Sequence, residues 1–438
     1  MKQRIVLITA IATLFASSVS AQQGWTLRQC IDHAIANNLT IRKAQIDVDQ
    51  SEIEVNTNKW ARLPNLNANV NESLGWGRNV SDDNTYIDDI HSTNTNFNLS
   101  TNVPLFTGFE LPNRYQLSKL NLKAAFVDLE KAKEDIAVNV ASQYVQVLYN
   151  LELKNVAKEQ VILSSEQLNR MEKLQEVGKA SPAEVAEARA RLAQSEMSSV
   201  EAENNYQLSL LNLSQLLELP TPEGFTVAPM QVDPDFKPLT PPDDIYTDAL
   251  NYKPGILAAQ YRLEGSERSI RIAQSGYYPT LSFNANISSG YTTYNGKGDS
   301  FFEQLKNKRN QSIGFSLSIP IFNRFATRNQ VRTARLQHTN YSILLDETKK
   351  DLYKEIQQSW YNAVAAETKY KTSAVAVEAN QESFRLMTEK FENGKATSIE
   401  YNEAKLNLMK SISDRIQAKY NYIFSTKILD FYKGIPIE

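Results

Sequence analysis

The sequence predicts a mixed α and β membrane protein, internally duplicated, whose long antiparallel helices accompany four strands per chain that contribute to a shared transmembrane β-barrel. Three observations carry this prediction. A unit of about 215 residues is written twice. Helical stripes run far beyond ordinary length without Pro or Gly. Four segments alternate strictly between apolar residues and Asn, Ser or Gly.

The chain opens on Lys2 and Arg4, an apolar run from Ile5 to Ala16, and Val19-Ser20-Ala21, a small-x-small cleavage site. This predicts a signal peptide over 1–21 and export. The other reading, a retained anchor, needs a longer apolar run than this one. Removing Lys2 and Arg4 leaves 45 basic residues against 50 acidic ones, a formal charge of −5, which excludes a surface built for nucleic acid. The lone Cys30 permits no intramolecular disulfide and no cysteine metal cluster, and it reads as a core residue. After residue 21 no run of 18 uncharged apolar residues follows, so any membrane entry is by strands.

The repeat is read by sliding the chain against itself. At an offset of 215, Ala34, Ile41, Ala44, Gln45, Pro64 and Leu66 meet Ala249, Ile256, Ala259, Gln260, Pro279 and Leu281. At 216, Pro104, Phe106, Gly178, Lys179, Ala180 and Glu187 meet Pro320, Phe322, Gly394, Lys395, Ala396 and Glu403. The first repeat is expected over 22–218, with strands at about 65–76 and 93–106 and long helices at about 112–176 and 181–217. A linker over 219–243 holds seven of the chain's 15 prolines. The second repeat is expected over 244–438, with strands at about 280–294 and 311–322 and long helices at about 325–392 and 397–431. Within each, a short helix (about 26–37, then 243–251) and a second helix precede the strands.

The long helices carry narrow stripes such as Leu117-Leu120-Ala124-Val127 and Val140-Tyr144-Val147-Leu151. Such stripes suit helices packed side by side in a wall. From Pro112 to Glu176 nothing interrupts the pattern, enough for some 60 residues or about 90 Å of helix at 1.5 Å per residue.

The strands decide the compartment. Leu66, Ala68 and Val70 alternate with Asn65, Asn67, Asn69 and Asn71; Phe97, Leu99 and Val103 alternate with Asn96, Asn98 and Asn102. The second copy sets Leu281, Phe283 and Ile287 against Ser282, Asn284 and Ser288, then Ile313, Phe315 and Leu317 against Gly314, Ser316 and Ser318. A soluble half-buried sheet has the same period, but its polar face usually carries Lys, Glu and Arg. Small polar residues instead fit a water-filled lumen, and about ten residues is the length of a tilted membrane strand. Trp76, Tyr291 and Tyr294 fit an aromatic girdle, with hairpin tips at about 77–92 and 295–310 facing outside. Four strands cannot close a barrel, and an edge in lipid leaves its N–H and C=O groups bare. Two copies would give eight strands and an interior filled by side chains; three give twelve and a lumen. A homotrimer is therefore expected.

These features, in this order, resemble the TolC-like outer-membrane channels of tripartite efflux and type I secretion systems. The resemblance covers nearly the whole mature chain and is carried by "TLRQCIDHAIANNLTI" (26–41), "RLPNLNANV" (62–70), "VPLFTGF" (103–109), "GKASPAEVAEARARLAQSE" (178–196), "YYPTLSFNANISSGY" (277–291), "IPIFNRF" (319–325) and "FENGKATSIEYNEAKLNL" (391–408). It implies a trimer with a 12-stranded barrel in the outer membrane and a tapering α-barrel crossing the periplasm. A closed tip would meet a periplasmic adaptor protein and an inner-membrane transporter, with outer-membrane lipid around the strands.

The resemblance also assigns residues. The two "GKA" turns become helix reversals at the tip, where Val177, Gly178, Lys179, Asn393, Gly394 and Lys395 would dock the adaptor. Family members often show Val-Gly-Leu in this turn; Val177-Gly178 is kept, while Lys179, Asn393 and Lys395 depart. Physically, Gly178 and Gly394 permit the positive φ that ends a helix, Ser181 and Thr397 can cap the next one, and Pro182 suits a first helical position. Glu400 and Glu403 match the paired acidic positions that ring the constriction, with Glu184 and Glu187 as first-copy counterparts and Phe391 at an aromatic position nearby. Three chains would put six carboxylates of Glu400 and Glu403 around one mouth, favouring cations. The plainer reading is a solvated face near a helix N-terminus, where carboxylates are favoured anyway.

No enzyme, cofactor or metal site is expected. "GKAS" and "GKAT" are not phosphate loops, because the Gly four residues before Gly-Lys is missing and Ala follows Lys where Ser or Thr would bind magnesium. His33, His91 and His338 are scattered. The expected function is a passive exit duct driven by partners, compatible with drug, metal, peptide or protein export. The alternative is a structural periplasmic coiled-coil scaffold without a pore.

Overall fold

The structure, a computed structural model, describes residues 24–80, 86–230, 236 and 238–437. The expected signal peptide lies outside the described residues. In chain order the elements are α1 (Leu27–Asn37), α2 (Leu39–Trp60), β1 (Asn67–Val80), β2 (Tyr86–Thr107), α3 (Glu110–Glu176), α4 (Pro182–Leu216), α5 (Pro242–Ala249), α6 (Pro254–Ser275), β3 (Thr280–Tyr294), α7 (Phe301–Asn307), β4 (Asn310–Ser318), α8 (Ala326–Glu392) and α9 (Ser398–Tyr432). The chain divides into two compact units. One holds the residues up to Gln45, Asp128–Ile256 and those from Thr348 onward; the other holds Ile46–Val127 and Leu257–Glu347. The 67-residue helices α3 and α8 contribute to both.

The strand unit contains a four-stranded antiparallel meander in the order β1-β2-β3-β4. Its register makes the alternation read in the sequence into two coherent faces. Ala68 stands opposite Leu99 and Leu99 opposite Ile287, while Phe283 stands opposite Phe315. On the reverse face Asn69 meets Asn98, Asn98 meets Ser288 and Ser288 meets Asn310. Much of the apolar face is exposed within the chain, with Ile313 at 81% and Phe315 at 73%, while Phe301 covers it at Phe97 and Tyr291. Among the described residues, β1 pairs with β2 alone and β4 with β3 alone, so each presents one edge.

Pairing reaches further along the first hairpin than alternation indicates. β1 runs to Val80 and β2 begins at Tyr86, so the tip expected at 77–92 narrows to 81–85, outside the described residues. A register shift between Gly77 and Asn79, with Gly77 at φ 150°, absorbs the irregular stretch. The second tip, expected at 295–310, contains α7. Asn295 and Gly296, at φ 51° and 72°, turn the chain. Gln304 then binds the backbone of Thr292 in both directions, accepting from its N–H at 3.0 Å and donating to its C=O at 2.9 Å. Phe301 meets Phe97 and Tyr291 edge-on. β4 stops at Ser318, short of the expected 322, because Pro320 has no N–H to offer a ladder.

The helical unit draws its core from several of its helices. Val140, Tyr144, Val147 and Leu148 of α3 are buried, as are Leu213 of α4, Ile356 and Ala363 of α8 and Leu429 of α9. Cys30 and Ala34 of α1 are fully buried, and burial pushes the Cys30 thiol up to about 12, so it serves as a core residue. A capping box starts α1: Gln29 N–H donates to Thr26 Oγ1 and Thr26 N–H to Gln29 Oε1 at 2.9 Å. The Tyr144 hydroxyl sits between two backbone segments, 2.6 Å from Ala228 O and 3.1 Å from Trp25 O. It thereby pins the start of the described chain against the Pro-rich stretch, beside the Trp25–Val227 bridge.

Candidate functional site: a cavity beside two helix reversals

Both reversals lie in the helical unit and are built alike. After α3, Gly178 adopts φ 71°, and the N–H groups of Lys179 and Ala180 both return to Leu174 O, at 2.7 and 3.2 Å. After α8, Gly394 adopts φ 69°, and Lys395 N–H returns to Lys390 O at 2.8 Å. Nothing lies within 4 Å of a Cβ built on either glycine, so glycine is required here by backbone conformation, not by crowding. Val177, Gly178, Lys179, Asn393, Gly394 and Lys395 are all exposed. Asn393 uses its side-chain amide to bind Glu389 O at 2.7 Å.

The helices that leave the reversals begin with matched capping boxes. Ser181 N–H donates to Glu184 Oε2 at 2.7 Å while Glu184 N–H donates to Ser181 Oγ at 3.3 Å. Thr397 N–H donates to Glu400 Oε2 at 2.8 Å while Glu400 N–H donates to Thr397 Oγ1 at 3.2 Å. Hydrogen bonds from the cap backbones hold both carboxyls below the usual carboxylate range. Glu400 is thus engaged at its own helix N-terminus, and Glu403 stands exposed one turn on.

Glu184, Glu187 and Phe391 line one cavity of about 210 Å³; Glu400 and Glu403 are not part of its wall. Glu187 accepts from Arg191, one turn along α4, and from Ser398 Oγ of α9 at 2.9 Å. The Arg191 bond, then the Ser398 bond, holds the Glu187 carboxyl below its ordinary value. Phe391 stacks on Tyr401 with ring centroids 4.9 Å apart and 23° between planes. It also packs on the buried cluster of Met171, Val185 and Ala188.

Sequence reasoning missed the cavity's cation. Lys405 of α9 lines the wall and is 6% exposed, with Nζ 3.2 Å from Ser164 Oγ of α3. Ser195 Oγ donates to Arg191 O at 3.0 Å, which leaves it to accept from Ser164 at 2.9 Å. Burial, then the nearby Arg191, pushes the Lys405 ammonium down to about 8. The available signal was phase: Lys405 interrupts the buried stripe of Tyr401, Ala404, Leu408 and Ser411. Among the described residues no group of three or more His, Cys, Asp or Glu is placed to hold a metal, and no helix is long and apolar enough to cross a membrane.

Helices of 67 residues together with a four-stranded meander, apolar on one face and Asn- and Ser-rich on the other, agree with a channel-forming protein of the outer membrane. The profile of the outer membrane efflux protein family matches residues 30–218 and 245–431. The chain is 23% identical over 438 residues to the outer membrane protein TolC of Escherichia coli (strain K12), covering 97% of this chain and 85% of that one. It is 21% identical over 348 residues to the alkaline protease secretion protein AprF of Pseudomonas aeruginosa, covering 78% and 69%. The outer membrane channel CmeC of Campylobacter jejuni superposes with a TM-score of 0.79 at 19% identity, covering 93% of this chain and 85% of that one. The chain belongs to the outer membrane efflux protein family, and so to the outer-membrane ducts of efflux and type I secretion.

Proposed function

We propose that three copies of this chain form one passive, non-enzymatic exit duct, each repeat of the duplicated chain supplying two strands and one helix reversal. The observation that carries the reading is the meander with an apolar face largely exposed toward β4, an Asn- and Ser-rich reverse face and two free edges. Each unpaired backbone group in hydrocarbon costs several kcal/mol, so β1 of one copy must pair with β4 of the next. Twelve strands leave a water-filled interior lined by the polar face. The long helices continue into the periplasm as an α-barrel. The six exposed turn residues, Val177, Gly178 and Lys179 with Asn393, Gly394 and Lys395, dock a periplasmic adaptor protein that couples the duct to an inner-membrane transporter.

In this assembly Glu400 and Glu403 ring the mouth, while Glu184, Glu187 and Phe391 tie neighbouring helices behind it. Mass measurement of the detergent-extracted mature protein, corrected for bound detergent, tests the assembly: a trimer extractable only by detergent is expected, and a salt-soluble monomer overturns it. The mouth is tested in planar bilayers, where replacing Glu400 and Glu403 together with Gln should reduce cation selectivity. Unchanged selectivity removes both from the constriction.

A further inference from the structure

Lys405 is 6% exposed and, among the described residues, has no carboxylate paired with its ammonium. Its hydrogen-bond partner, Ser164 Oγ, is a neutral hydroxyl that passes its own proton on to Ser195. The two carboxylates on the cavity wall are committed elsewhere: Glu184 to the Ser181 cap, Glu187 to Arg191 and Ser398. Burying an unpaired ammonium is costly enough that such groups are normally paired or neutralised. With its value near 8, Lys405 is still charged at neutral pH. Two residues of the same wall each hold a buried, unbonded polar atom, Arg191 Nε and Gln160 Oε1.

These three groups describe a ligand. Lys405 and Arg191 Nε ask for an anionic acceptor. Gln160 Oε1 asks for a donor close by, since the Gln160 amide nitrogen and Lys405 Nζ approach the same hydroxyl, at 3.4 and 3.2 Å from Ser164 Oγ. The rest of the wall is mixed: Met171, Phe391 and Tyr401 give it an apolar part, beside polar residues such as Gln167, Gln194 and Asn402. At about 210 Å³ the space far exceeds the roughly 10–15 Å³ that admits one water.

We propose that this cavity binds a small α-hydroxycarboxylate with an apolar or aromatic tail: carboxylate on Lys405 and Arg191, hydroxyl donating to Gln160, tail against Met171 and Phe391. Bound there, the ligand joins α3, α4 and α9 through one molecule. The site is formed by one chain's helices, so it stands or falls independently of conduction.

Mandelate is a suitable probe, because it carries the ring, the hydroxyl and the carboxylate; mandelamide is its neutral counterpart. Calorimetric titration of the detergent-extracted full-length protein should show saturable mandelate binding, at least tenfold weaker binding of mandelamide, and a comparable loss for mandelate in Lys405→Met. The mandelamide comparison uses the unaltered protein, so the result does not depend on the variant assembling. Absence of mandelate binding, equal binding of mandelamide, or full binding by a folded Lys405→Met protein overturns the proposal.

Discussion

Ser398 Oγ donates to Glu187 Oε2 at 2.9 Å, joining the first residue of α9 to the second turn of α4 across 211 positions of sequence. Since Arg191 grips the same carboxylate, Glu187 is the node through which the helix leaving one reversal holds the helix leaving the other. Ser398→Ala removes one neutral donor and leaves the Glu187–Arg191 pair, for an expected cost of about 1 kcal/mol. Glu187→Ala strips both partners and leaves Arg191 facing Lys405, so it should lower the denaturation midpoint further than Ser398→Ala. Urea titrations of the two variants in detergent check the order. If the reversals form the duct's mouth, both variants should also raise its conductance in planar bilayers.

The matched capping boxes predict an acid-side dependence. Glu184, Glu187 and Glu400 are all held below the ordinary 4.5. A carboxyl with a depressed folded value contributes stability that is present above its unfolded value and is lost as pH falls through the folded one. Thermal stability should therefore fall as pH drops below about 4.5, and replacing Glu184 and Glu400 with Gln should flatten that fall. Separately, Ser181→Ala should cost about 1 kcal/mol at neutral pH.

The reversals themselves were legible because their chemistry is local. Gly and a hydroxyl three residues later declare a helix stop and a cap within one short window, whereas the Glu three beyond, expected at the constriction, completes a capping box. The two faces of the sheet were legible for a similar reason, since the strict period of two in 65–71 and 94–103 fixes which residues share a side. Strand ends were not, because alternation reports which side chains meet lipid, and it fades near Asp88, Asp89 and His91 while backbone pairing continues. Helix α7 was missed because its anchors, Gln304 on Thr292 and Phe301 on Phe97, are tertiary. Lys405 was missed because counting apolar positions along α9 passes over a lysine that sits in phase with them.

A second buried cation gives a contrasting test. Lys253, whose side chain is 7% exposed, reaches Glu134 Oε2 of α3 at 3.2 Å and stands over the Phe431 ring at 3.5 Å. Desolvation lowers the Lys253 ammonium and raises the Glu134 carboxyl, with their mutual attraction opposing both. Such a pair is costly to break from one side. Glu134→Ala should destabilise by about 3 kcal/mol, while the double variant Glu134→Leu with Lys253→Met should recover most of that loss. A double-mutant cycle on unfolding midpoints checks the coupling.

Lys405 should behave in the opposite way, because no carboxylate repays its burial. Its folded value of about 8 lies below the ordinary 10.5. The unfolded chain therefore binds more protons than the folded one between those values, and stability contributed by this site rises with pH across that window. Below pH 8 both states are protonated and the full penalty, roughly 3 kcal/mol, is felt. Lys405→Met keeps a flexible apolar side chain of similar length and removes the charge. It should raise the stability of the ligand-free protein at pH 7 by about 2 kcal/mol, where most core substitutions lower it. The gain should shrink as pH climbs from 8 toward 10.5. A destabilised Lys405→Met protein at pH 7 would mean that the ammonium is a net contributor to the folded state, as expected only if an anion already occupies the cavity.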